Sequence, residues 1–171
     1  MTHDVMEIDL GRLHDMHPLL SHSTAREYAY RAAIGLDRHR HMPGVPLAVQ
    51  FDGGRRKANI IWSAFPGEGG AQLDFHRVTE DTAEAVALAL VHVANGWTIR
   101  RRLQRGEAAD WLLIDGERNL VALEVSGVDI LDTGQRRLKE KTEQVRRCGI
   151  EATKVACVME LRPPRCRTRT V

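Results

Sequence analysis

The chain has 171 residues, of which 43% are hydrophobic and 28% are charged, so it is long enough for one globular domain with a sizeable core. Its formal net charge of +2 argues against binding driven by a strong overall field, and its three cysteines, none in a CxxC pair, argue against a disulfide framework or a zinc ribbon. No apolar run reaches the length of a membrane span, and the polar, acidic N-terminus is unlike a secretory signal. The sequence therefore predicts a cytoplasmic protein without a membrane partner.

The N-terminal part of the chain predicts a helix followed by a β-hairpin. Ser23 or Thr24 is the predicted N-cap of the helix, because their side-chain oxygens can accept from its free backbone N–H groups. A Gly- and Pro-rich loop at residues 66–70 marks the predicted boundary between an N-terminal α+β elaboration, residues 1–75, and a core, residues 76–171. The predicted elements of the elaboration are the helix over residues 25–36 and hairpin strands over residues 47–51 and 57–62.

The second part of the chain is more regular. Its predicted elements are a helix over residues 80–95, strands over residues 97–103, 109–114 and 120–125, a helix over residues 135–148, a strand over residues 153–160 and an extended basic tail. The last strand follows a crossover helix, so it can lie parallel to a core strand. This α-β-β-β-α-β order predicts an α/β fold with a mixed sheet sandwiched by helices.

Two acidic residues stand in apolar strands of this core. Asp110 opens the second strand, and Glu124 interrupts the third, between Leu123 and Val125. An unpaired carboxylate inside a sheet is costly unless it finds a partner, so two at neighbouring strand ends suggest a shared divalent metal ion. The alternative is that both carboxylates lie at exposed strand edges.

In its α-β-β-β-α-β order and in the positions of Asp110 and Glu124, the core resembles the PD-(D/E)xK nuclease superfamily, which includes restriction endonucleases and Holliday-junction resolvases. The resemblance implies that Asp110 and Glu124 hold Mg²⁺ or Mn²⁺. It also implies a third metal ligand on the first helix, a role that Glu84 matches, with Glu80 as a weaker candidate. The superfamily places a lysine two positions after the strand glutamate, where this chain has Ser126 on the same strand face as Glu124.

A lysine can be supplied from the second core helix instead. Lys141 borders the apolar face of that helix, three residues after Leu138, and Gln144 follows one turn later. Both side chains are expected to flank the site if this helix packs on the sheet. The alternative is that Lys141 lies along the edge of the core with its charge in solvent. The predicted catalytic set is Asp110, Glu124, Ser126, Lys141 and Gln144.

Clustered arginines indicate nucleic acid as the partner. Arg100, Arg102 and Arg105 are expected to contact nucleic-acid phosphates, with Arg100 and Arg102 on one strand face. A second basic cluster, Arg162 to Arg169, lies in the tail, and either cluster could instead be solvated surface. The sequence thus predicts a metal-dependent nuclease acting on DNA or RNA. The alternative is an inactive nuclease-fold module that binds nucleic acid or a protein partner, as in a defence or toxin-associated complex, and a homodimer stays open.

Overall fold

A computed structural model describes residues 5–63 and 73–171, and these residues contain eight strands and four α-helices. The strands are β1 Met6–Asp9, β2 Val45–Phe51, β3 Gly54–Ile61, β4 Thr98–Arg102, β5 Trp111–Ile114, β6 Leu120–Val128, β7 Thr153–Leu161 and β8 Pro164–Thr170. The helices are α1 Leu13–Met16, α2 His22–Arg38, α3 Phe75–Asn95 and α4 Gly134–Arg146, with a 3₁₀ turn over Leu10–Arg12. No helix within the described ranges is long and apolar enough to cross a lipid bilayer.

The strands form one mixed sheet in the order β1-β3-β2-β8-β7-β6-β5-β4. Strands β4, β5 and β6 are antiparallel neighbours, and β7, which follows the crossover helix α4, lies parallel to β6. The predicted α/β class with a mixed sheet is confirmed. The N-terminal hairpin continues the same sheet, because β2 pairs in parallel with β8. The predicted boundary loop at residues 66–70 lies outside the described residues.

Two helices begin earlier than the sequence pattern predicts. Asp74 accepts from the backbone N–H groups of His76 and Arg77, so α3 starts at Phe75 rather than near residue 80. Ser21 accepts from the backbone N–H of Thr24 in the same way at the start of α2. In both cases the cap lies upstream of the apolar pattern on which the prediction relied.

The elements that the sequence pattern misses are β1, α1 and β8. The buried His17, at the end of α1, is held between Leu88 O at 3.0 Å and the Ile99 N–H at 3.2 Å, so a polar side chain fixes this segment to α3 and β4. In β8 the buried Cys166 alternates with outward-facing arginines, which conceal the strand in a sequence that reads as a basic tail.

Each face of the sheet has its own apolar core. The residues of β6 that pack beneath α3 are Val121, Leu123 and Val125. Ala122 packs on the opposite face with Leu138 of α4. Because side chains alternate along a strand, Glu124 and Ser126 share the α4 face. This alternation is what brings α4 over the acidic strand position.

Candidate active site

The candidate active site lies where β5 separates from β6. Pairing between these strands ends at Trp111 and Leu123, whereas β6 stays paired with β7 as far as Val128. The last residues of β6 therefore have a strand on one side only. Polar side chains from β4, β5, α3 and α4 fill the position that β5 leaves.

Beyond the end of the β5 pairing, carboxylates accept the hydrogen bonds of the backbone N–H groups of β6. Asp110 Oδ2 accepts from the backbone N–H of Val125 at 2.8 Å, and Glu80 Oε2 accepts from that of Gly127 at 3.0 Å. A Cβ on Gly127 would lie 2.5 Å from Thr79 O, so glycine is required for α3 to come this close to β6. Both carboxylates thus satisfy backbone donors that would otherwise be left unpaired at a sheet edge.

Asp110 and Glu124 form a close pair of carboxylates. Burial and the charge of Asp110 together raise the pKa of Glu124 to about 7, against the opposing effect of Lys141. Burial also raises the pKa of Asp110, although its hydrogen bond from Val125 opposes this. Glu124 Oε2 is buried and no described N–H or O–H group donates to it, while a carboxyl–carboxyl hydrogen bond with Asp110 contributes to the raised pKa of Glu124. The pair therefore has an acceptor oxygen and a like-charge repulsion that a cation would relieve.

Lys141 reaches this pair from α4. Its Nζ donates to Glu124 Oε1 at 2.5 Å and to Gln144 Oε1 at 3.0 Å. The side chain is 16% exposed and that of Glu124 is 2% exposed, so the ion pair is largely shielded from water. The charge of Lys141 is therefore directed at the carboxylate pair rather than into solvent, and Gln144 holds it there.

Ser126 is joined to both flanking helices. Its Oγ donates to Glu80 Oε1 at 3.3 Å and accepts from Arg137 Nε at 2.9 Å. A guanidinium group thus lies next to the strand position at which the superfamily has a lysine. Arg137 was not among the predicted site residues, although its position one turn before Lys141 on α4 puts both residues on one helix face.

Glu84 lies on α3, and hydrogen-bond donors occupy both of its carboxylate oxygens. Arg102 binds them with two guanidinium nitrogens, and Tyr28 Oη and Trp111 Nε1 donate to Oε2 at 2.8 and 3.0 Å. The Arg102 guanidinium also lies 4.7 Å from the centre of the Trp111 ring. Neither Tyr28 nor Trp111 could be assigned to this cluster from the sequence, since Tyr28 is 56 positions away from Glu84.

The predicted arginine contacts are distributed differently. The register of β4 shifts between Ile99 and Arg101, so Arg100 is the extra residue of a bulge and does not alternate regularly with Arg102. The expectation that these two share a strand face fails for this reason. Arg102 is bound to Glu84, whereas Arg100 and Arg105 are exposed. Arg100 and Arg105 stay predicted phosphate contacts.

The donor set suits a metal ion held by two protein carboxylates. Within residues 5–63 and 73–171, no group of three or more His, Cys, Asp or Glu side chains is positioned to hold a metal. Asp110 Oδ1 and Glu124 Oε2 remain the oxygens without a close donor, since the nearest cation to Asp110 Oδ1 is Arg102 at 4.0 Å. Two carboxylates completed by water and substrate phosphates match the usual coordination of Mg²⁺.

The raised pKa of Glu124 predicts how metal-free stability depends on pH. A carboxyl whose pKa is about 7 in the folded chain and about 4.5 when exposed binds its proton more tightly when folded. Its contribution to the free energy of unfolding therefore falls as pH rises from about 4.5 to about 7, by about 3 kcal/mol. Glu124→Gln is expected to remove this loss in EDTA, as measured by urea unfolding at several pH values.

Glu151→Gln serves as the matched control, because Glu151 is exposed. Its unfolding free energy should follow that of the parent across the same pH range. If the unfolding free energies of the parent and Glu124→Gln depend on pH in the same way, ionisation of Glu124 does not destabilise the folded protein.

Comparisons with protein-family models, with curated proteins and with solved structures find no match to this chain.

Proposed function

We propose that the protein is a divalent-metal-dependent nuclease of the PD-(D/E)xK type, in which Asp110 and Glu124 hold Mg²⁺ or Mn²⁺ and Lys141 replaces the lysine missing at Ser126. The observation that carries the proposal is the contact of Lys141 Nζ with Glu124 Oε1 beside a buried Oε2 to which no described N–H or O–H group donates. A lysine, an acidic strand residue and a second carboxylate thus meet where two strands separate.

The residues of the chain divide the work of phosphodiester hydrolysis. A bound divalent ion would polarise the phosphate and lower the pKa of a water molecule. Asp110 is oriented by the Val125 N–H, which leaves its other oxygen for the ion. Lys141, fixed by Gln144, places a positive charge where negative charge develops on the phosphate, and Arg137 adds a second one near Ser126.

Glu84 favours the second candidate function, an inactive module of the same fold. Its two oxygens accept from Arg102, Tyr28 and Trp111, so it is not available as a third metal ligand unless Arg102 moves. A protein that has exchanged a metal ligand for an internal ion pair could retain binding without cleavage. Such a module would bind nucleic acid or a protein partner. A cytoplasmic location stays a prediction for both functions.

A cleavage assay separates the two functions. Purified protein is incubated with labelled single- and double-stranded DNA and RNA, with Mg²⁺ or Mn²⁺ and with EDTA. The nuclease proposal predicts cleavage of at least one substrate with metal and none with EDTA. Asp110→Asn, purified in parallel, controls for contaminating nucleases. The absence of metal-dependent cleavage on all four substrates would favour the inactive module.

A further inference from the structure

A groove crosses the sheet face formed by β3, β2 and β8. Leu47 and Val49 of β2 point into the α3-side core, so Ala48 and Gln50, which alternate with them, point to the opposite face. The groove there has a volume of about 630 Å³, and Ala48 and Gln50 form part of its floor. Small and neutral residues thus lie between the two outer strands.

Cationic side chains line both sides of this floor. Ala48 pairs with Lys57 on β3 and with Arg165 on β8, and Gln50 pairs with Arg55 and Arg167 in the same two strands. Neighbouring strands are about 4.8 Å apart, so the two cationic rows are separated by about 10 Å. Within a row, alternate residues follow at about 7 Å. We call these four cations and Arg169, which continues the β8 row, the basic groove.

Most of this charge is not neutralised within the chain. No side-chain ion pair or hydrogen bond to another described residue is made by Arg55, Lys57, Arg165 or Arg169. Arg167 is the exception, because it donates to Glu160 at 2.9 Å and to Gln50 at 2.8 Å. Unpaired like charges held side by side repel one another, so a polyanion in the groove would lower their energy.

The basic groove lies on the sheet face that carries Glu124. Arg167 pairs across β7 with Val158, and Val158 pairs with Ser126, so Arg167 and Ser126 belong to one cross-strand row about 10 Å apart. The first turn of α4 lies between them. Gln135 accepts from Arg167 at 3.4 Å, and Arg137 donates to Ser126. Two arginines therefore mark a path from the groove, past the start of α4, to the candidate active site, and each has a carboxylate partner, Glu160 for Arg167 and Glu140 for Arg137.

We propose that the basic groove binds the phosphodiester backbone of one nucleic-acid strand and leads that strand toward the carboxylate pair. The identification of the polyanion as nucleic acid rests on the proposed function. Two rows of regularly spaced cations match a linear chain of regularly spaced negative charges, and a groove about 10 Å wide fits one backbone. A flat anionic membrane would contact the rims of the groove and leave its floor empty.

The test measures binding without cleavage. Fluorescence anisotropy of labelled single-stranded and duplex oligonucleotides is recorded in EDTA at several salt concentrations, for the parent and for Arg55→Gln with Arg165→Gln. Each lost phosphate contact reduces the slope of log K against log salt by about 0.7 on single strands. The double variant is therefore expected to bind single strands about 25-fold more weakly at 0.1 M salt, with a slope reduced by about 1.4.

The control removes the same charge elsewhere. Arg26→Gln with Arg147→Gln changes two exposed arginines outside the groove and should leave affinity and slope close to those of the parent. Equal losses in both double variants would show that only net charge matters and would overturn the proposal. Unchanged binding by the groove variant would overturn it as well.

Two further comparisons separate this proposal from its alternatives. Binding in EDTA and cleavage with metal are measured on the same preparations of the parent and the groove variant, so failure of the cleavage assay and failure of the groove have different signatures. Polyglutamate and vesicles of anionic lipid are tested in the same buffer. If either binds as tightly as the oligonucleotides and depends equally on Arg55 and Arg165, the groove is a site for that polyanion and not for nucleic acid.

Discussion

Lys141→Ala is expected to lower metal-dependent cleavage by about 10²–10³-fold, which is the usual effect of removing one preorganised group that stabilises developing charge. Lys141 donates to Glu124 and is held by Gln144, so no other lysine of α4 can replace it at this position. Single-turnover rates at saturating Mn²⁺ measure the effect. Mn²⁺ must be saturating because removal of Lys141 also raises the pKa of Glu124 and so disfavours the ionised carboxylate that would bind the metal.

Lys139→Ala is the matched control, because Lys139 is exposed on the same helix. Its cleavage rate and melting temperature should be close to those of the parent. Lys141→Ala should melt at a lower temperature, because it leaves the buried Glu124 without its cation, so rates are compared well below both melting temperatures. Adding Ser126→Lys to Lys141→Ala places a lysine on the strand two positions after Glu124 and is expected to recover part of the rate. If Lys141→Ala cleaves as fast as the parent, Lys141 has no catalytic role.

Millimolar Mn²⁺ is expected to raise the melting temperature of the parent protein by about 5–10 °C. A ligand that binds only the folded state at 100 times its Kd contributes about 2.7 kcal/mol, and each kcal/mol moves the melting temperature of a chain of this size by about 2–4 °C. The ion would also relieve the repulsion between Asp110 and Glu124. Differential scanning fluorimetry above pH 7, where Glu124 is ionised, measures the shift.

Asp110→Asn combined with Glu124→Gln should abolish this stabilisation while raising the metal-free melting temperature, because the repulsion is gone. Glu84→Gln tests the third predicted ligand. Its response to Mn²⁺ should equal that of the parent, since Arg102 already occupies Glu84. The same Mn²⁺ shift in the Asp110 and Glu124 double variant would place the metal elsewhere in the protein.

The order of the core elements could be predicted from the sequence because each has a strong local signal. The apolar periodicity of α3, its αL glycine stop at Gly96 and the turn at Asp52–Gly53 are examples. What failed depended on tertiary contacts. β8 reads as a basic tail because three of its seven residues are arginines, and β1 becomes a strand only through its parallel pairing with β3. Neither pairing has a local sequence signal.

The candidate site shows the same division. Asp110 and Glu124 stand out as charges in apolar strands, and helical spacing directs attention to Lys141. Their meeting requires α4 to cross the Glu124 face of the sheet, which follows from the fold. The capture of Glu84 by Arg102 could not be foreseen, because the β4 bulge after Ile99 breaks the strand alternation on which the arginine prediction relied.

Anomalous diffraction from crystals soaked in Mn²⁺ locates any ion bound at the carboxylate pair. The proposed metal site should give one strong peak between the carboxylates of Asp110 and Glu124, about 2.0–2.3 Å from an oxygen of each. Lys141 should remain within hydrogen-bonding distance of Glu124 in that structure. A fully soaked crystal with no peak between these carboxylates would contradict the metal site and with it the nuclease proposal.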